Sequence, residues 1–223
     1  MHDSLMEVAL DQGHAMAGTL LGYDCQDGAK AVRYMYLERA SELGCGMASF
    51  CLGTAYDRGG HGLERNLTAA LRYYCIGSEQ GEAGAQFLAA RLYKEHVGDR
   101  EKEVEYLLMA AEQGYVGAQE HVGKIYVDHG GEWIKSPNWP SGVYWIRRAA
   151  AGGCEDAAWM LNDIEETTKN VCFNCGITRT MRAGEGERFG RCAKCRSAYY
   201  CSRECQRAHW GTGHKQSCVK GDA

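Results

Sequence analysis

A glycine followed by an alanine four residues later recurs through the first three quarters of this 223-residue chain, at intervals of 31 to 39 residues. A small residue also stands four positions before each glycine, and a large residue stands eight positions before it. Periods of this length are typical of arrays in which each repeat buries its apolar face only against its neighbours. The five pairs are Gly13 with Ala17, Gly44 with Ala48, Gly81 with Ala85, Gly114 with Ala118, and Gly153 with Ala157.

The offsets within one period predict a pair of helices. Positions eight and four residues before the glycine share one face of a helix, so large and small side chains alternate there and a neighbouring helix can interdigitate. The glycine stands where a helix C-terminus needs a left-handed residue, and a second apolar helical pattern starts directly after it. We therefore expect a mostly α fold, an α-solenoid of two-helix repeats of ~35 residues each.

Two runs carry a resemblance to a known repeat. The segments EQGEAGAQFLAARLY, from Glu79, and AAEQGYVGAQEHVGKIY, from Ala110, resemble Sel1-like repeats, which are relatives of the tetratricopeptide repeat. The resemblance implies about five repeats over residues 1–168, with a concave face that holds protein partners. A longer connection, 133–140, carries Trp133 and Trp139 beside two prolines, and we expect it to be a contact site or to fold back onto the last repeat.

The last quarter of the chain contains four closely spaced pairs of metal-ligand residues. The spacings are C-x2-C, C-x2-C, C-x3-C and H-x3-C, and each pair can place two soft donors on one tetrahedral ion. Since every position of two such sites is filled by protein, the pattern predicts two closed, structural zinc ions. The eight residues are Cys172, Cys175, Cys192, Cys195, Cys201, Cys205, His214 and Cys218.

The same segment resembles a MYND zinc finger, most specifically in YCSRECQRAHW, which starts at Tyr200, and HKQSC, which starts at His214. His209 is an alternative ligand, but the match to the motif favours His214. Spacing alone does not decide how the pairs combine. The resemblance implies an interleaved arrangement, in which one zinc is held by Cys172, Cys175, Cys201 and Cys205, and the other by Cys192, Cys195, His214 and Cys218.

Resemblance to MYND fingers also implies recognition of short proline-containing peptides beside the second zinc. The matching positions are Gln206 and Trp210, with Tyr200 and Ser202 as further candidates. An exposed tryptophan suits this task because its flat ring stacks on proline and its N–H can orient the ligand backbone. The alternative is that Trp210 is the hydrophobic nucleus of the finger. An indole wholly buried by its own domain would exclude the peptide site.

Charge and composition narrow the function classes. Residues 1–170 carry 15 Lys and Arg against 25 Asp and Glu, whereas 171–223 carry 10 against 4. Thiolates bound to zinc reduce the basic excess of the finger, so we do not expect nucleic acid as a partner. Long apolar runs and a secretory signal are absent from the sequence, and we expect no membrane span. The five cysteines outside the finger pattern are scattered and typical of reduced thiols, which favours the cytoplasm or nucleus.

These patterns predict two domains, a Sel1-like solenoid at 1–168 and a MYND finger with a C-terminal tail at 169–223. No catalytic constellation is apparent in the sequence, so we expect a non-enzymatic adaptor that uses zinc as its only cofactor and binds protein partners. The alternative is a component of a ubiquitin-ligase or protein quality-control complex, and a more distant one is a transcription-related nucleic-acid binder. We further expect the finger to bury the helical face around Trp159, Met160 and Leu161, and to fold independently of the repeats.

Overall fold

Helices dominate the computed structural model, which describes residues 16, 30–59, 63–127, 139–168, 172, 189–196, 198–215 and 218. Two of the helices continue directly into π-helical turns, Tyr93–Val97 and Trp210–His214. The helices are α1 (Lys30–Glu42), α2 (Gly46–Arg58), α3 (Leu67–Glu79), α4 (Ala83–Leu92), α5 (Arg100–Glu112), α6 (Val116–Val127), α7 (Trp139–Ala151), α8 (Glu155–Thr168) and α9 (Arg203–His209). The two short strands are β1 (Gly190–Arg191) and β2 (Tyr199–Tyr200).

The repeated glycines end the first helix of each described pair. Gly44, Gly81, Gly114 and Gly153 all have φ between 85° and 93°, the left-handed conformation that glycine adopts without penalty. In each case the following residue donates its N–H to the carbonyl five positions earlier, as from Cys45 to Ala40 at 3.0 Å. This is the Schellman arrangement, and it confirms that the glycine period marks helix ends.

Side chains start several of the helices. Asn66 accepts a hydrogen bond from the N–H of Ala69 at the start of α3, and Asp99 accepts one from Lys102 at the start of α5. These caps satisfy donors that have no partner inside a helix. An amide and a carboxylate therefore begin α3 and α5, each of which ends shortly before one of the repeated glycines.

The chain divides into two compact units, residues 1–115 and 116–223. In the first unit, α1 to α5 pack in sequence, and the small residues of the period lie in the interior. Ala40, Ala48 and Ala85 are fully buried, and a Cβ at Gly77 would lie 2.8 Å from that of Ala85. Close approach of neighbouring helices therefore requires a small side chain at these positions.

Glutamines add polar contacts between successive repeats of the first unit. Gln80, next to Gly81, donates from Nε2 to the carbonyl of Ser41 at 2.7 Å and accepts from Ser49 Oγ at 2.6 Å. Gln113, next to Gly114, donates to Gln86 Oε1 at 2.7 Å. Since buried polar groups need partners, these side chains fix one repeat against the one before it.

The second unit holds α6 to α8 and the cysteine-rich segment. Val143, Ile146, Ala149 and Ala157 form its helical core, together with other buried residues, and β1 pairs antiparallel with β2. The predicted boundary between 168 and 169 falls inside this unit and stays a prediction. Residues 133–138 of the predicted contact loop lie outside the described residues. Among the described helices, none is both long and apolar enough to cross a membrane.

Candidate metal centre

Four of the predicted ligands converge in the second unit. Cys192, Cys195, His214 and Cys218, here called the four-donor cluster, have ligand atoms that all lie within 4.8 Å of one another, and all four side chains are buried. Cys192 Sγ lies 3.8 Å from Cys218 Sγ. His214 Nε2 lies 3.4 Å from Cys192 Sγ and 3.6 Å from Cys195 Sγ.

The donor chemistry and these separations fit zinc. Donors at about 2.3 Å for sulfur and about 2.0 Å for nitrogen from a tetrahedral centre lie roughly 3.8 Å apart for two sulfurs and roughly 3.5 Å apart for sulfur and nitrogen. The measured separations match this edge length. They are also far longer than a disulfide bond of about 2.05 Å, and every cysteine of the cluster is a free thiol.

A tight turn carries two of the sulfurs. The N–H of Arg196 donates to the carbonyl of Cys192 at 2.9 Å, and the N–H of Cys192 donates to the carbonyl of Ala198 at 2.8 Å. Arg196 has φ of 55°, the left-handed region that is uncommon for a residue with a side chain. The turn lies between β1 and β2, so strand pairing fixes both of its ends.

Protonation in the four-donor cluster follows from burial and from crowding of charge. Burial lowers the pKa of His214 to about 4, with help from His209 and Lys194, so the ring is neutral at physiological pH and can ligate a metal. Burial, and then the thiolates of Cys195 and Cys192, raise the pKa of Cys218 to about 12. A cation bound among these sulfurs would remove that mutual repulsion.

The pKa of the Cys192 thiol is lowered, in contrast to that of Cys218. Burial raises the pKa of the Cys192 thiol, but hydrogen bonds from the backbone N–H groups of Cys195 and Lys194, together with those from the side chains of Cys195 and Cys218, outweigh burial, and the net pKa is lowered. The turn thus supplies donors to the sulfur as well as its position. Such backbone donors stabilise a thiolate and prepare it for metal binding.

A second group of sulfurs lies in the same unit. Cys172, Cys201 and Cys205, here called the three-sulfur cluster, also have ligand atoms within 4.8 Å of one another. Cys201 Sγ and Cys205 Sγ are 3.5 Å apart. Cys175, the fourth predicted ligand of this site, lies outside the described residues. Seven of the eight predicted ligands are thus brought together in the interleaved grouping that the family resemblance implies.

His209 takes a different position from His214. Its Nδ1 lies 3.0 Å from the hydroxyl of Tyr200, and its ring stacks on that of His214 with centroids 5.1 Å apart. Tyr200 is buried in the small core of the finger, and burial followed by the nearby Cys192 thiolate raises its pKa. His209 and Tyr200 therefore pack against the predicted ligand His214, and the buried Tyr200 does not offer a peptide-binding surface.

Gln206 lies in the middle of α9 and Trp210 begins the π-helical turn that follows it, and both are half-buried. They are four residues apart, which places them on one side of the helix. Trp210 packs against the core of the finger, and its ring meets that of His214 edge-on at 5.6 Å. Because Trp210 is only half-buried, its indole is not wholly covered by its own domain. Ser202 caps α9 by accepting from the N–H of Cys205 at 3.2 Å, so its hydroxyl has a structural role.

Two features of this unit did not follow from the sequence reasoning. Trp159 on α8 is 72% exposed, so its side chain does not make the expected contact with the finger, although Met160 and Leu161 pack on the helical core. A contact between a repeat helix and the finger is made instead by Arg147 of α7, which donates to the carbonyl of Cys195. Nothing in the local pattern of α7 indicated that contact.

Comparison with known proteins agrees with this description of the finger. Residues 172–218 match the MYND finger family, a zinc-binding module, and both clusters lie within that range. Ubiquitin carboxyl-terminal hydrolase 15 from Arabidopsis thaliana is 35% identical to this chain over 65 residues, which are 25% of this chain and 7% of that protein.

Solved structures resemble the rest of the chain. The Sel1 repeat protein from Oxalobacter formigenes is 27% identical with a TM-score of 0.60, covering 73% of this chain and 48% of that one. The antigen c5321 of uropathogenic Escherichia coli, described as displaying an SLR fold, is 24% identical with a TM-score of 0.62, covering 79% and 38%. The chain thus has a Sel1-like repeat fold and a MYND finger, and spans less than half the length of each of these three proteins.

Proposed function

We propose that this protein is a non-enzymatic adaptor, in which the repeats are a scaffold and the finger docks short proline-containing peptides. Both kinds of module are protein-interaction modules, so a role in protein interaction has direct support. The finer assignment rests on the surface formed by Gln206 and Trp210. Two zinc ions are proposed to hold the finger, one in the four-donor cluster and one in the three-sulfur cluster completed by Cys175.

One observation carries the peptide-docking proposal, which is the position of Trp210. Its ring is half-buried and held edge-on against His214, a proposed metal ligand. A ring fixed in this way loses little conformational freedom when a ligand stacks on it, and pre-organisation of this kind favours binding. Gln206, one helical turn earlier, can hydrogen-bond the backbone of an extended peptide, since its amide offers both a donor and an acceptor.

Fluorescence polarisation of labelled peptides would test this surface on the intact, zinc-loaded chain. The probes are an array of proline-containing peptides, each paired with a copy in which alanine replaces proline. We expect Trp210→Ala to weaken binding at least ~10-fold, as hot-spot aromatic residues do. The matched control is Trp159→Ala, because Trp159 is a more exposed tryptophan outside the finger.

Zinc content must be measured for both variants, since Trp210 also packs on the finger core. Weaker peptide binding by Trp210→Ala with its zinc retained supports the proposal, and Gln206→Ala should show a smaller loss. Equal binding of the proline and alanine peptides, or equal binding by the Trp210 and Trp159 variants, would contradict it.

A second candidate function has one observation in its favour. Similarity to a ubiquitin carboxyl-terminal hydrolase suits a component of a ubiquitin-ligase or protein quality-control complex. Affinity purification followed by mass spectrometry, with and without Cys201→Ser, separates the two. Ligase subunits recovered in both samples favour the second candidate, and loss of proline-rich partners alone favours the first.

The compartment of this adaptor is proposed to be the cytoplasm or nucleus. All the cysteines that the structure describes are free thiols, including Cys45, Cys51, Cys75 and Cys154 of the repeats. Reduced thiols persist in those compartments. Thiolates on zinc also lower the positive charge of the finger, so a nucleic-acid-binding role has less support than protein binding.

A further inference from the structure

Helix α7 of the repeats contacts the turn that carries two predicted zinc ligands. Arg147 Nη1 donates a hydrogen bond to the carbonyl oxygen of Cys195 at 3.2 Å. The two residues are 48 positions apart, and both belong to the second unit. The contact therefore joins a repeat helix to the turn between β1 and β2.

The carbonyl that Arg147 engages is part of a hydrogen-bonded chain through the turn. It belongs to the peptide group whose N–H, that of Arg196, donates to the carbonyl of Cys192 at 2.9 Å. Polarising one end of a peptide group strengthens the hydrogen bond at the other end. Holding this peptide also holds the left-handed conformation of Arg196, which has φ of 55°. The guanidinium thus holds the peptide group between residues 195 and 196, which closes the turn that carries Cys192 and Cys195.

Charge favours the same contact. Three thiolates and one neutral imidazole around a divalent zinc ion leave a net negative charge on the four-donor cluster. A guanidinium does not lose its proton in a protein. Its positive charge therefore attracts the negatively charged cluster at every accessible pH. Hydrogen bonds from a charged donor are also stronger than those between neutral groups.

We propose that Arg147 is a positioning residue for the four-donor metal site, so that the repeat array completes the outer shell of a zinc ion bound by the finger. The proposal rests on zinc binding by this cluster and is independent of peptide docking. Its consequence is reciprocal, because a helix that raises zinc affinity is itself stabilised when zinc binds. Partners of a metal's ligands typically contribute 10–100-fold to its affinity.

Zinc release to a colorimetric chelator, titrated against the intact chain, tests the proposal. We expect Arg147→Gln to release one equivalent of zinc at a chelator concentration at least ~10-fold lower than the unsubstituted chain requires. Release of the other equivalent should be unchanged. Arg148→Gln is the matched control, since it removes the same charge from the same helix. Arg148 donates to the hydroxyl of Tyr144 at 3.3 Å and lies over the rings of Tyr144 and Trp145. Its loss should leave both equivalents unchanged.

Arg147→Lys keeps the charge but replaces the planar fork with a compact ammonium, so partial rescue is expected. Far-UV circular dichroism of the zinc-loaded variants shows whether α6 to α8 are intact. If Arg147→Gln loses helix, the comparison of Arg147→Lys with Arg148→Lys gives the same test. Equal release curves for the 147 and 148 variants, or equal weakening of both zinc equivalents by Arg147→Gln, would overturn the proposal.

Discussion

The first unit and the finger of the second unit contain cores of opposite kinds. In the first unit, Ala70, Ala85 and Ala89 surround the fully buried ring of Tyr74, between helices that are mostly 13 residues long. In the finger, four of the seven buried core residues are cysteines, and the strands have two residues each. Helices buried against each other supply their own stability, whereas a core of thiols needs a partner for its sulfurs.

This difference indicates which part of the chain needs bound metal for its folding stability. A small unit buries too little apolar surface to offset the entropy of ordering its chain. Ionising its crowded thiols adds to that cost, since burial and then the neighbouring thiolates raise the pKa of Cys218. Zinc removes both problems at once. We expect the described helices of the first unit to fold without metal, because their close contacts come from small residues at a fixed period.

Removing zinc should have the largest effect and should separate the two units. Dialysis of the intact chain, which we expect to hold about two equivalents of zinc, against a strong chelator should remove folding free energy on the order of 10 kcal/mol from the finger. Hydrogen-exchange mass spectrometry should show full loss of protection in α9, partial loss in α6 to α8, and none in α1 to α5. Equal loss in α1 to α5 would break the comparison.

Acid should lower the stability of the finger, whereas alkali should lower the stability of the first unit. His214 has its pKa lowered from 6.5 to about 4, so its contribution is fully present above pH 6.5 and is lost as the pH falls toward 4. Tyr74 has its pKa raised from 10.0 to about 12, chiefly by burial, so its contribution is present below pH 10 and is lost as the pH rises toward 12. Each shift corresponds to about 3 kcal/mol at most.

Tryptophan fluorescence and zinc release would follow the acid branch, because zinc and the folded finger both require the neutral ring of His214. Circular dichroism of the first unit's helices would follow the alkaline branch. His214→Asn should remove the acid dependence assigned to the ring, and Tyr74→Phe should shift the alkaline transition. A finger more sensitive to base than to acid would contradict this assignment.

Gly77→Ala should have the smallest effect of the three and should be confined to the first unit. The added Cβ would lie 2.8 Å from Ala85 Cβ and 3.2 Å from the carbonyl of Gly46, so helices α2 to α4 would have to move apart. We expect a loss of about 2 kcal/mol, typical of overpacking, with zinc content unchanged. The control is Met35→Ala, because Met35 is an exposed side chain of α1. Ser78→Ala is unsuitable because Ser78 is buried.

Thermal denaturation and zinc analysis of both variants would decide this case. A fall in the unfolding midpoint for Gly77→Ala alone, at constant zinc, sharpens the contrast between the units. A fall in zinc content would show that packing in the first unit and metal binding are not separate.

The sequence predicted features that depend on neighbouring residues better than contacts between residues far apart in the chain. The glycine period predicted the Schellman ends because each motif spans six consecutive residues, as from Ala40 to Cys45. Ligand spacing predicted which side chains are donors, but their grouping came from the family resemblance, because pairs of similar spacing can combine in several ways. Arg147 gave no signal, since a single arginine on an amphipathic helix is usually solvated and its partner is a backbone carbonyl 48 residues away.

The π-helical turn Trp210–His214 has a consequence for how the finger exchanges its metal. One widened turn carries both the half-buried indole of Trp210 and the buried imidazole of His214, with their rings in edge contact. Because the two rings are in contact, we expect a movement of His214 out of the cluster to disturb the packing of Trp210. If zinc binds the four-donor cluster, we therefore expect a ligand stacked on Trp210 to slow the release of that ion, so that the release rate would report whether the surface is occupied.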